Sequence, residues 1–137
     1  YIAHFLPETK VVPVLFKYQT SSGEIEAFSQ VVTREMKKRN IFILSSVDFS
    51  HYLPWGEAER KDEETIAAIK NFDVSRIARF GSDHLDSPAS ILTLLRIGQI
   101  FDATGVTVLR HGNSAESIRG RNSSTTSHFT FFLHPKP

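Results

Sequence analysis

The chain has 137 residues, 40% of them apolar and 23% charged, which are the proportions of a soluble globular domain. Its net charge is only +1 and its Lys and Arg residues are spread along the sequence, which argues against a nucleic-acid-binding protein. It has no cysteine, so disulfides, zinc–thiolate sites and cysteine nucleophiles are excluded, and a metal would need His, Asp or Glu ligands.

The sequence also bears on location and completeness. No apolar run approaches the roughly 20 residues of a membrane span, and no signal peptide opens the sequence, so we expect a cytoplasmic protein. The first residue is Tyr1 and not an initiator Met. We therefore expect residues 1–137 to be a single α/β domain or a fragment of a longer protein.

The first part of the chain alternates predicted strands and helices. An apolar, β-branched run predicts a first strand at 11–16. Residues Ser21–Glu24 have the Ser-x-x-Glu form of a capping box, and the apolar spacing that follows predicts an amphipathic helix ending near residue 40. A second apolar run predicts a buried strand at 41–46, and the following segment 48–56 is predicted to be a loop, because it contains a proline and a glycine.

The second part is predicted to hold three helices and two strands. Charged helix formers predict a helix at 57–70, and Asp73 is a plausible N-cap for a short helix that ends before residue 81. The clearest helix begins at Ser87–Pro88. A strand at 106–109, a polar loop at 112–124 and an alternating strand at 127–133 complete the chain. This order predicts an α/β fold with a mixed, mainly parallel sheet flanked by helices.

The segment Ser45–Tyr52 is the main candidate for a functional site. Asp48 and His51 follow a predicted buried strand, and ligands of α/β proteins bind where such strands end. A carboxylate and an imidazole at that position could transfer protons to and from a ligand. However, Asp and Ser are also common turn formers, and a single His often only fills a hydrogen-bonding position. The residue types alone leave both interpretations open.

Other combinations of residues give weaker indications. The six His residues include no His-x-His or His-x-x-x-His pair, so those other than His51 are expected to be surface or core residues. The serines near His51 lack the flanking glycines of a nucleophile elbow. Glu116 taken alone is interpreted as a solvated loop acid, and Arg119–Arg121 as a solvated loop that could also hold an anion.

Taken in order, Asp48, His51, the helix start at Ser87–Pro88 and the loop 113–116 resemble the C-terminal half of a MEMO-family protein, also called AmmeMemoRadiSam system protein B. The family's Ser-Ser-Asp-Phe-Ser/Cys-His-Trp/Tyr pattern is matched by Ser45–Tyr52, with one inserted valine. The resemblance spans nearly the whole chain. It implies a three-layer fold similar to that of the LigB-like, extradiol-type non-haem iron dioxygenases.

The resemblance also implies site residues and a cofactor. In the dioxygenases two His and one acidic residue bind the metal, and another His acts as acid/base. The acid/base position matches His51, which Asp48 would orient or support. One metal-ligand position matches Glu116, and the two ligand histidines would lie in an N-terminal half outside this chain. The intact protein would then bind iron or another divalent metal, whereas this chain alone would bind none.

Two functions remain open at this point. The intact protein could be a metal-dependent dioxygenase-like or redox enzyme with His51 as acid/base, or a non-catalytic module that recognises a peptide or a protein. The resemblance implies a radical SAM protein and an AMMECR-type domain protein as partners. The charge distribution and the lack of a long apolar run lead us to expect no nucleic acid and no membrane. Self-association through an unpaired strand edge is a further possibility.

Overall fold

A computed structural model of the protein describes residues 2–17, 19–117 and 124–136. The helices are α1 (Ile2–Phe5), α2 (Ser22–Met36), α3 (Trp55–Lys70), α4 (Val74–Ile77) and α5 (Pro88–Ile100). The strands are β1 (Phe49–Leu53), β2 (Gly105–Asn113) and β3 (Thr125–His134), and a 3₁₀ turn covers Ser114–Ser117. Within these ranges, no helix combines the length and the apolar character needed to cross a membrane.

The three strands form one antiparallel sheet in the order β1-β3-β2. The pairing of β2 with β3 runs from Gly105 opposite His134 to Asn113 opposite Ser127. The α/β class predicted from the sequence is confirmed. The expected parallel order is not found among the described strands. The consecutive strands β2 and β3 pair antiparallel, and β1 pairs antiparallel with β3.

The two segments predicted as the first strands are extended but unpaired. Neither 11–16 nor 41–46 is assigned to a strand, and their backbone groups form no backbone hydrogen bond with another described residue. A strand is defined by its neighbours, and an apolar run predicts extended chain but cannot supply a partner. The strand that does form, β1, covers part of the segment 48–56 that the sequence predicted as a loop.

Local helix signals in the sequence are confirmed. The Ser21 hydroxyl accepts a hydrogen bond from the Glu24 N–H (3.2 Å), and the Glu24 carboxylate accepts one from the Ser21 N–H (2.8 Å), which completes the capping box of α2. The same backbone N–H, together with Lys17, lowers the pKa of Glu24 to about 2. Asp73 caps α4 by accepting a hydrogen bond from the Arg76 N–H at 3.0 Å.

Two helix starts differ in detail from the prediction. Helix α3 begins at Trp55 with Pro54 as its N-cap and Gly56 in its first turn, so these residues do not delay the helix as the sequence suggested. Helix α5 begins at Pro88 as predicted, but the Ser87 hydroxyl bonds to that of Ser90 (2.7 Å) and caps no backbone N–H. The fixed φ of proline is therefore the local feature that favours this start.

Helix α5 forms the centre of the hydrophobic core. It buries Ile91, Leu92 and Leu95, which join a cluster with residues of α2, α3, α4 and β1, namely Ile25, Ile69, Ile77, Phe49 and Leu85 of the segment that follows α4. Each fully buried aliphatic side chain of this kind contributes about 1.5–3 kcal/mol. The cluster lies between the helices and one face of the sheet, and it fixes that face relative to the helices.

Gly98 allows α5 to approach β3 closely. A Cβ atom at this position would lie 2.6 Å from Leu133 Cδ1 and 2.8 Å from the Ala103 carbonyl oxygen. The second contact is with backbone, which cannot move without disturbing the end of the helix. A glycine is therefore required here by packing, despite its low helix propensity.

We expect Gly98→Ala to lower the free energy of unfolding by about 1–3 kcal/mol, because the added methyl group overlaps Leu133 and Ala103. The matched control is Gly56→Ala in α3, where a Cβ would meet nothing within 4 Å, and which should be neutral or stabilising by up to about 1 kcal/mol. Urea denaturation measures both. Equal effects of the two substitutions would contradict the packing argument.

A bidentate ion pair joins α5 to α2. Arg96 Nε lies 2.6 Å from Glu26 Oε2, and Arg96 Nη2 lies 3.0 Å from Glu26 Oε1. The guanidinium of Arg96, with a smaller contribution from Gln30, lowers the pKa of Glu26 from 4.5 to about 2. Because the pKa is lower in the folded state, the pair stabilises the fold above pH 4.5, and this contribution is lost as the pH falls towards 2.

Glu26→Gln should therefore cost stability at pH 7 and progressively less as the pH is lowered from 4.5 to 2. The comparison is between the urea midpoints of the unsubstituted protein and the variant across this range. Glu63→Gln is the control, because Glu63 is exposed on α3 and forms no ion pair within the described ranges. A constant difference between the midpoints at all pH values would rule out the ionic origin.

Candidate functional site

The candidate segment folds as a short, irregular strand held on both sides. On one side of β1, Phe49, His51 and Leu53 lie opposite three consecutive residues of β3, with a register shift at each step. On the other side, the Ser50 N–H donates to the His84 carbonyl (3.0 Å) and Phe49 forms a bridge with Leu85. Two residues of β1 thus face one of β3, which is the arrangement of a β-bulge.

Tyr52 adds backbone strain to this strand. Its φ is 60°, in the left-handed region that an aromatic residue rarely adopts, and its side chain is 81% exposed. Such a conformation costs about 1–3 kcal/mol and persists only where the surroundings impose it. Bulges and strain of this kind change the direction of neighbouring side chains, and His51 is the neighbour.

His51 contains a buried polar atom without a partner. Its Nδ1 is shielded from solvent and forms no hydrogen bond with any described residue. Its ring packs edge-on against that of Tyr52, with centroids 4.8 Å apart. A buried donor or acceptor left unsatisfied costs about 1–3 kcal/mol, so the arrangement favours a ligand or group that would bond to this nitrogen.

Two serine hydroxyls in the same segment are also buried without a hydrogen-bond partner. Ser45 Oγ and Ser50 Oγ are buried without a partner, and Ser50 is fully buried. Of the six such atoms in the described part of the chain, these two and His51 Nδ1 lie within residues 45–51. Unsatisfied polar groups are therefore concentrated in the segment that the sequence singled out.

The backbone of Asp48 pairs with Asp86. Its backbone N–H donates to Asp86 Oδ1 (3.2 Å) and its carbonyl accepts from the Asp86 N–H (3.0 Å). No hydrogen bond joins the exposed Asp48 carboxylate to His51 within the described residues. Asp48 ties the entry of β1 to the segment that follows α4, and the support of His51 by Asp48 stays a prediction.

Glu116 lies in the 3₁₀ turn after β2. Its Oε1 accepts a hydrogen bond from the Asn113 N–H at 3.1 Å. The described His, Asp and Glu residues include no group of three or more that could hold a metal ion. The metal role of Glu116 stays a prediction.

Asn113, which the sequence did not suggest as a site residue, organises that region. Its side chain is buried and donates to Thr125 Oγ1 (3.1 Å) and Ser127 Oγ (2.9 Å), while its Oδ1 accepts from the Ala115 N–H (2.9 Å). Thr125 Oγ1 in turn donates to the Leu53 carbonyl of β1 at 3.0 Å. The turn that holds Glu116 is thereby connected through β3 to the strand that holds His51.

A surface depression lies next to this turn, and we call it the β2–β3 depression. It has a volume of about 360 Å³, and its lining includes Arg110, Asn113, Ser114, Glu116, His128 and Thr130. Neither Asp48 nor His51 lines it. The depression therefore includes the predicted Glu116 position but not the predicted acid/base pair. The sequence motif Arg119–Arg121 lies outside the described residues.

A hydrogen-bonded pair of a buried carboxylate and an exposed imidazole escaped the sequence analysis. His111 Nε2 hydrogen-bonds to Asp62 Oδ2 at 2.8 Å, and Asp62 is only 1% exposed, with its Oδ1 unpartnered in the described structure. The His111 ring stacks on Phe129, with centroids 4.4 Å apart. No sequence signal connects residues 49 positions apart, and His111 was therefore treated as an isolated histidine.

His84 belongs to a charged cluster that holds the far side of β1. Its ring stacks on Phe80 and hydrogen-bonds to Asp83 (3.2 Å) and Glu64 (3.4 Å). The Lys61 ammonium lowers the pKa of Asp83, and the hydrogen bond from His84 lowers that of Glu64. Both carboxylates are thus held charged, and the cluster fixes the backbone that pairs with Ser50.

Comparison with known proteins gives consistent results. A MEMO1 family protein of Pyrobaculum aerophilum is 27% identical over 125 residues, which cover 85% of this chain and 43% of that protein. A MEMO1 family protein of Pyrobaculum arsenaticum is 26% identical over 139 residues, covering 98% and 49%. One from Methanococcoides burtonii is 36% identical over 77 residues, covering 55% and 29%.

The chain thus spans about half the length, or less, of the curated relatives it matches. The family model described as Memo-like protein matches residues 1–131, nearly the whole chain. This match agrees with the resemblance carried by the segment Ser45–Tyr52. The chain belongs to the Memo-like protein family.

Proposed function

We propose that this chain supplies the proton-transfer part of an enzyme active site, with His51 as the acid/base. The observation that carries the proposal is the buried, unpartnered Nδ1 of His51. The preceding residue in the sequence, Ser50, also has a buried hydroxyl without a partner. A histidine can gain or lose a proton near neutral pH. A ring nitrogen that no protein group occupies can take a proton from a substrate hydroxyl, or return one, when a rearrangement of the strand lets the substrate reach it.

The surroundings of His51 suit this role. The strand is bulged and strained at Tyr52, and it is fixed on one side by β3 and on the other by the backbone at His84. Fixed neighbours keep the imidazole in one position, which reduces the reorganisation needed during proton transfer. Natural proteins accept such local costs mainly where function requires them.

The resemblance to non-haem dioxygenases extends the proposal to metal-dependent, oxygenase-like or redox chemistry in a longer protein. The residues described here do not assemble a metal site, so we assign no step to a metal. When bound, such a metal would supply Lewis-acid or redox chemistry. Glu116 and histidines outside this chain are the ligands that the resemblance implies, whereas His51 would act on protons.

The proposal predicts opposite effects for two histidines of the same sheet. His51→Phe should leave the free energy of unfolding unchanged or raise it by about 1 kcal/mol, because it removes an unsatisfied buried nitrogen. His111→Phe should lower it by about 1–3 kcal/mol, because it leaves the Asp62 carboxylate buried without a partner. Chemical denaturation of both variants makes the comparison.

Activity gives the second readout for the same variants. Oxygen uptake with catechol as a probe, together with iron, copper and zinc content, should be measured on the protein that carries this chain. His51→Phe should abolish turnover without changing the metal content, since His51 is not proposed as a ligand. Unchanged turnover in His51→Phe, or destabilisation equal to that of His111→Phe, would rule out the acid/base role.

A second candidate function is recognition of a peptide or protein partner at the β2–β3 depression. Its lining offers the cation of Arg110 and the carboxylate of Glu116, which are groups that can bind a polar chain. A radical SAM protein and an AMMECR-type domain protein are the partners that the family resemblance suggests. This function would not need His51, which lies outside the depression.

Partner binding is expected to depend on the depression alone. Arg110→Ala should raise the dissociation constant for either partner by about fivefold or more, because loss of an interface arginine commonly weakens binding by this much. His51→Ala should leave it unchanged. Isothermal titration calorimetry with each purified partner measures both values, and loss of binding in His51→Ala would indicate that the site chemistry is involved.

A further inference from the structure

The β2–β3 depression lies on the outer face of the β2–β3 strand pair. In the register of these strands, Arg110 lies opposite Thr130 and Gly112 lies opposite His128. Residues two apart along a strand share one face of a sheet, so these four positions lie on the same face. The intervening Phe129 packs against the core cluster. The face that carries the depression therefore points away from the core.

Gly112 leaves the floor of this depression open. Its φ is not in the left-handed region, and within 4 Å a Cβ at this position would meet only the carboxylate oxygens of Glu116, at 3.7 and 3.8 Å. These are ordinary van der Waals distances, so neither the backbone nor the packing of the described residues requires a glycine. A glycine weakens the interior of a strand and often marks a position that a ligand approaches closely. The missing side chain therefore favours a ligand that lies against this strand.

Arg110 and Glu116 bring opposite charges to this depression without pairing with each other. Both side chains are exposed and both line the depression. Neither forms an ion pair with a residue in the described ranges, where the Glu116 carboxylate accepts one hydrogen bond, from the Asn113 N–H. A cation and an anion that line one depression and lie too far apart to bond suit a ligand that carries both charges.

The carboxylate of Glu116 is held in position by the turn that contains it. Its Oε1 accepts from the Asn113 N–H at 3.1 Å, and Asn113 Oδ1 accepts from the Ala115 N–H at 2.9 Å. The Ser114 hydroxyl accepts a hydrogen bond from the Thr126 N–H of β3 at 2.9 Å. A group that is already fixed loses little conformational freedom when it binds a ligand. Glu116 Oε2, which bonds to no described residue, is the oxygen left for that ligand.

We propose that the β2–β3 depression is a binding site for a small zwitterion, the class of ligand to which free amino acids belong. The guanidinium of Arg110 binds the carboxylate of the ligand through two hydrogen bonds, and Glu116 binds its ammonium group. The body of the ligand lies over Gly112. The volume of about 360 Å³ is within the range of small-molecule sites. The proposal goes beyond the acid/base role of His51 and does not depend on it.

A ligand with a single charge fits this depression less well. An exposed ion pair contributes little to binding, because water solvates both of its charges. An anion bound to Arg110 would also lie in the same depression as the carboxylate of Glu116, and a cation bound to Glu116 would share it with the guanidinium. A zwitterion makes both favourable contacts, and the second contact forms within a ligand that the first already holds.

A series of small molecules tests the class of ligand. The probes are glycine, 4-aminobutyrate and 6-aminohexanoate, whose two charges are separated by different distances, and butyrate and butylamine, which carry one charge each. NMR titrations at constant low ionic strength follow the amides of 110–116 and 128–130. We expect at least one zwitterion to bind about tenfold or more tightly than both single-charge probes. Equal affinities, or no binding of any zwitterion, would overturn the proposal.

Substitutions of the two charged residues test the contacts. Arg110→Gln should reduce the affinity of the best zwitterion to that of butylamine, and Glu116→Gln should reduce it to that of butyrate, because each removes one of the two charge contacts. The matched controls are Arg79→Gln and Glu63→Gln, which remove exposed charges without an ion pair in the described ranges and should leave the affinity unchanged. An unchanged affinity in Arg110→Gln or Glu116→Gln would place the ligand elsewhere and overturn the proposal.

Gly112→Val tests the open floor without changing a charge. Because valine is favoured in strands, the free energy of unfolding measured with urea should be unchanged or higher. The added side chain occupies the floor, so the affinity of the best zwitterion should fall by about tenfold or more. Gly112→Ala adds only a methyl group at an ordinary contact distance and serves as the test if valine destabilises the fold. Unchanged affinity in the folded variant would overturn the proposal.

These outcomes are separate from those of the proposed functions. His51→Phe should bind the zwitterion with unchanged affinity, because His51 does not line the depression. If a protein partner binds through Arg110 and no zwitterion binds, the second candidate function stands and the zwitterion site is wrong. If a zwitterion binds as described and neither protein partner does, the zwitterion site stands and the second candidate function is wrong.

Discussion

The two-sided pairing of β1 is the constraint on which the rest of the structure depends. Five residues connect β3 to the backbone after α4, and both connections meet at Phe49 and Ser50. Phe49 also places its ring in the core, edge-on to Phe129 at 4.6 Å. Since the same short strand carries the core residue and His51, the position of the imidazole is set by the packing of the whole domain.

Two histidines of this sheet differ in whether their ring nitrogens have hydrogen-bond partners. His111 hydrogen-bonds to the Asp62 carboxylate through one ring nitrogen and stacks on the ring of Phe129. This hydrogen bond offsets part of the cost of burying Asp62. His51 has a buried nitrogen that nothing described satisfies. The residue type is the same at both positions, and only the hydrogen bonding of the ring nitrogens distinguishes a histidine that supports the fold from a candidate for function.

The features predicted correctly from the sequence are those determined by residues close together along the chain. The capping box at Ser21, the Asp73 cap and the Pro88 helix start are local signals, and all three helices form where expected. The sheet was less predictable, because pairing of β1 with β3 and of His111 with Asp62 joins positions far apart in sequence. Asp48 and His51 were identified as neighbours in sequence, but no hydrogen bond joins their side chains among the described residues.

The order β1-β3-β2 has a consequence for how the site is made. The hydrogen bond from Thr125 to Leu53 spans 72 residues, whereas β2 and β3 are adjacent along the chain. The C-terminal strand pair can form locally, but β1 must wait for it, because its partner on that side does not exist until residues 125–127 have been synthesised. His51 is therefore synthesised before the strand that positions it. A nascent chain that stops before β3 contains His51 but lacks the strand that pairs with β1.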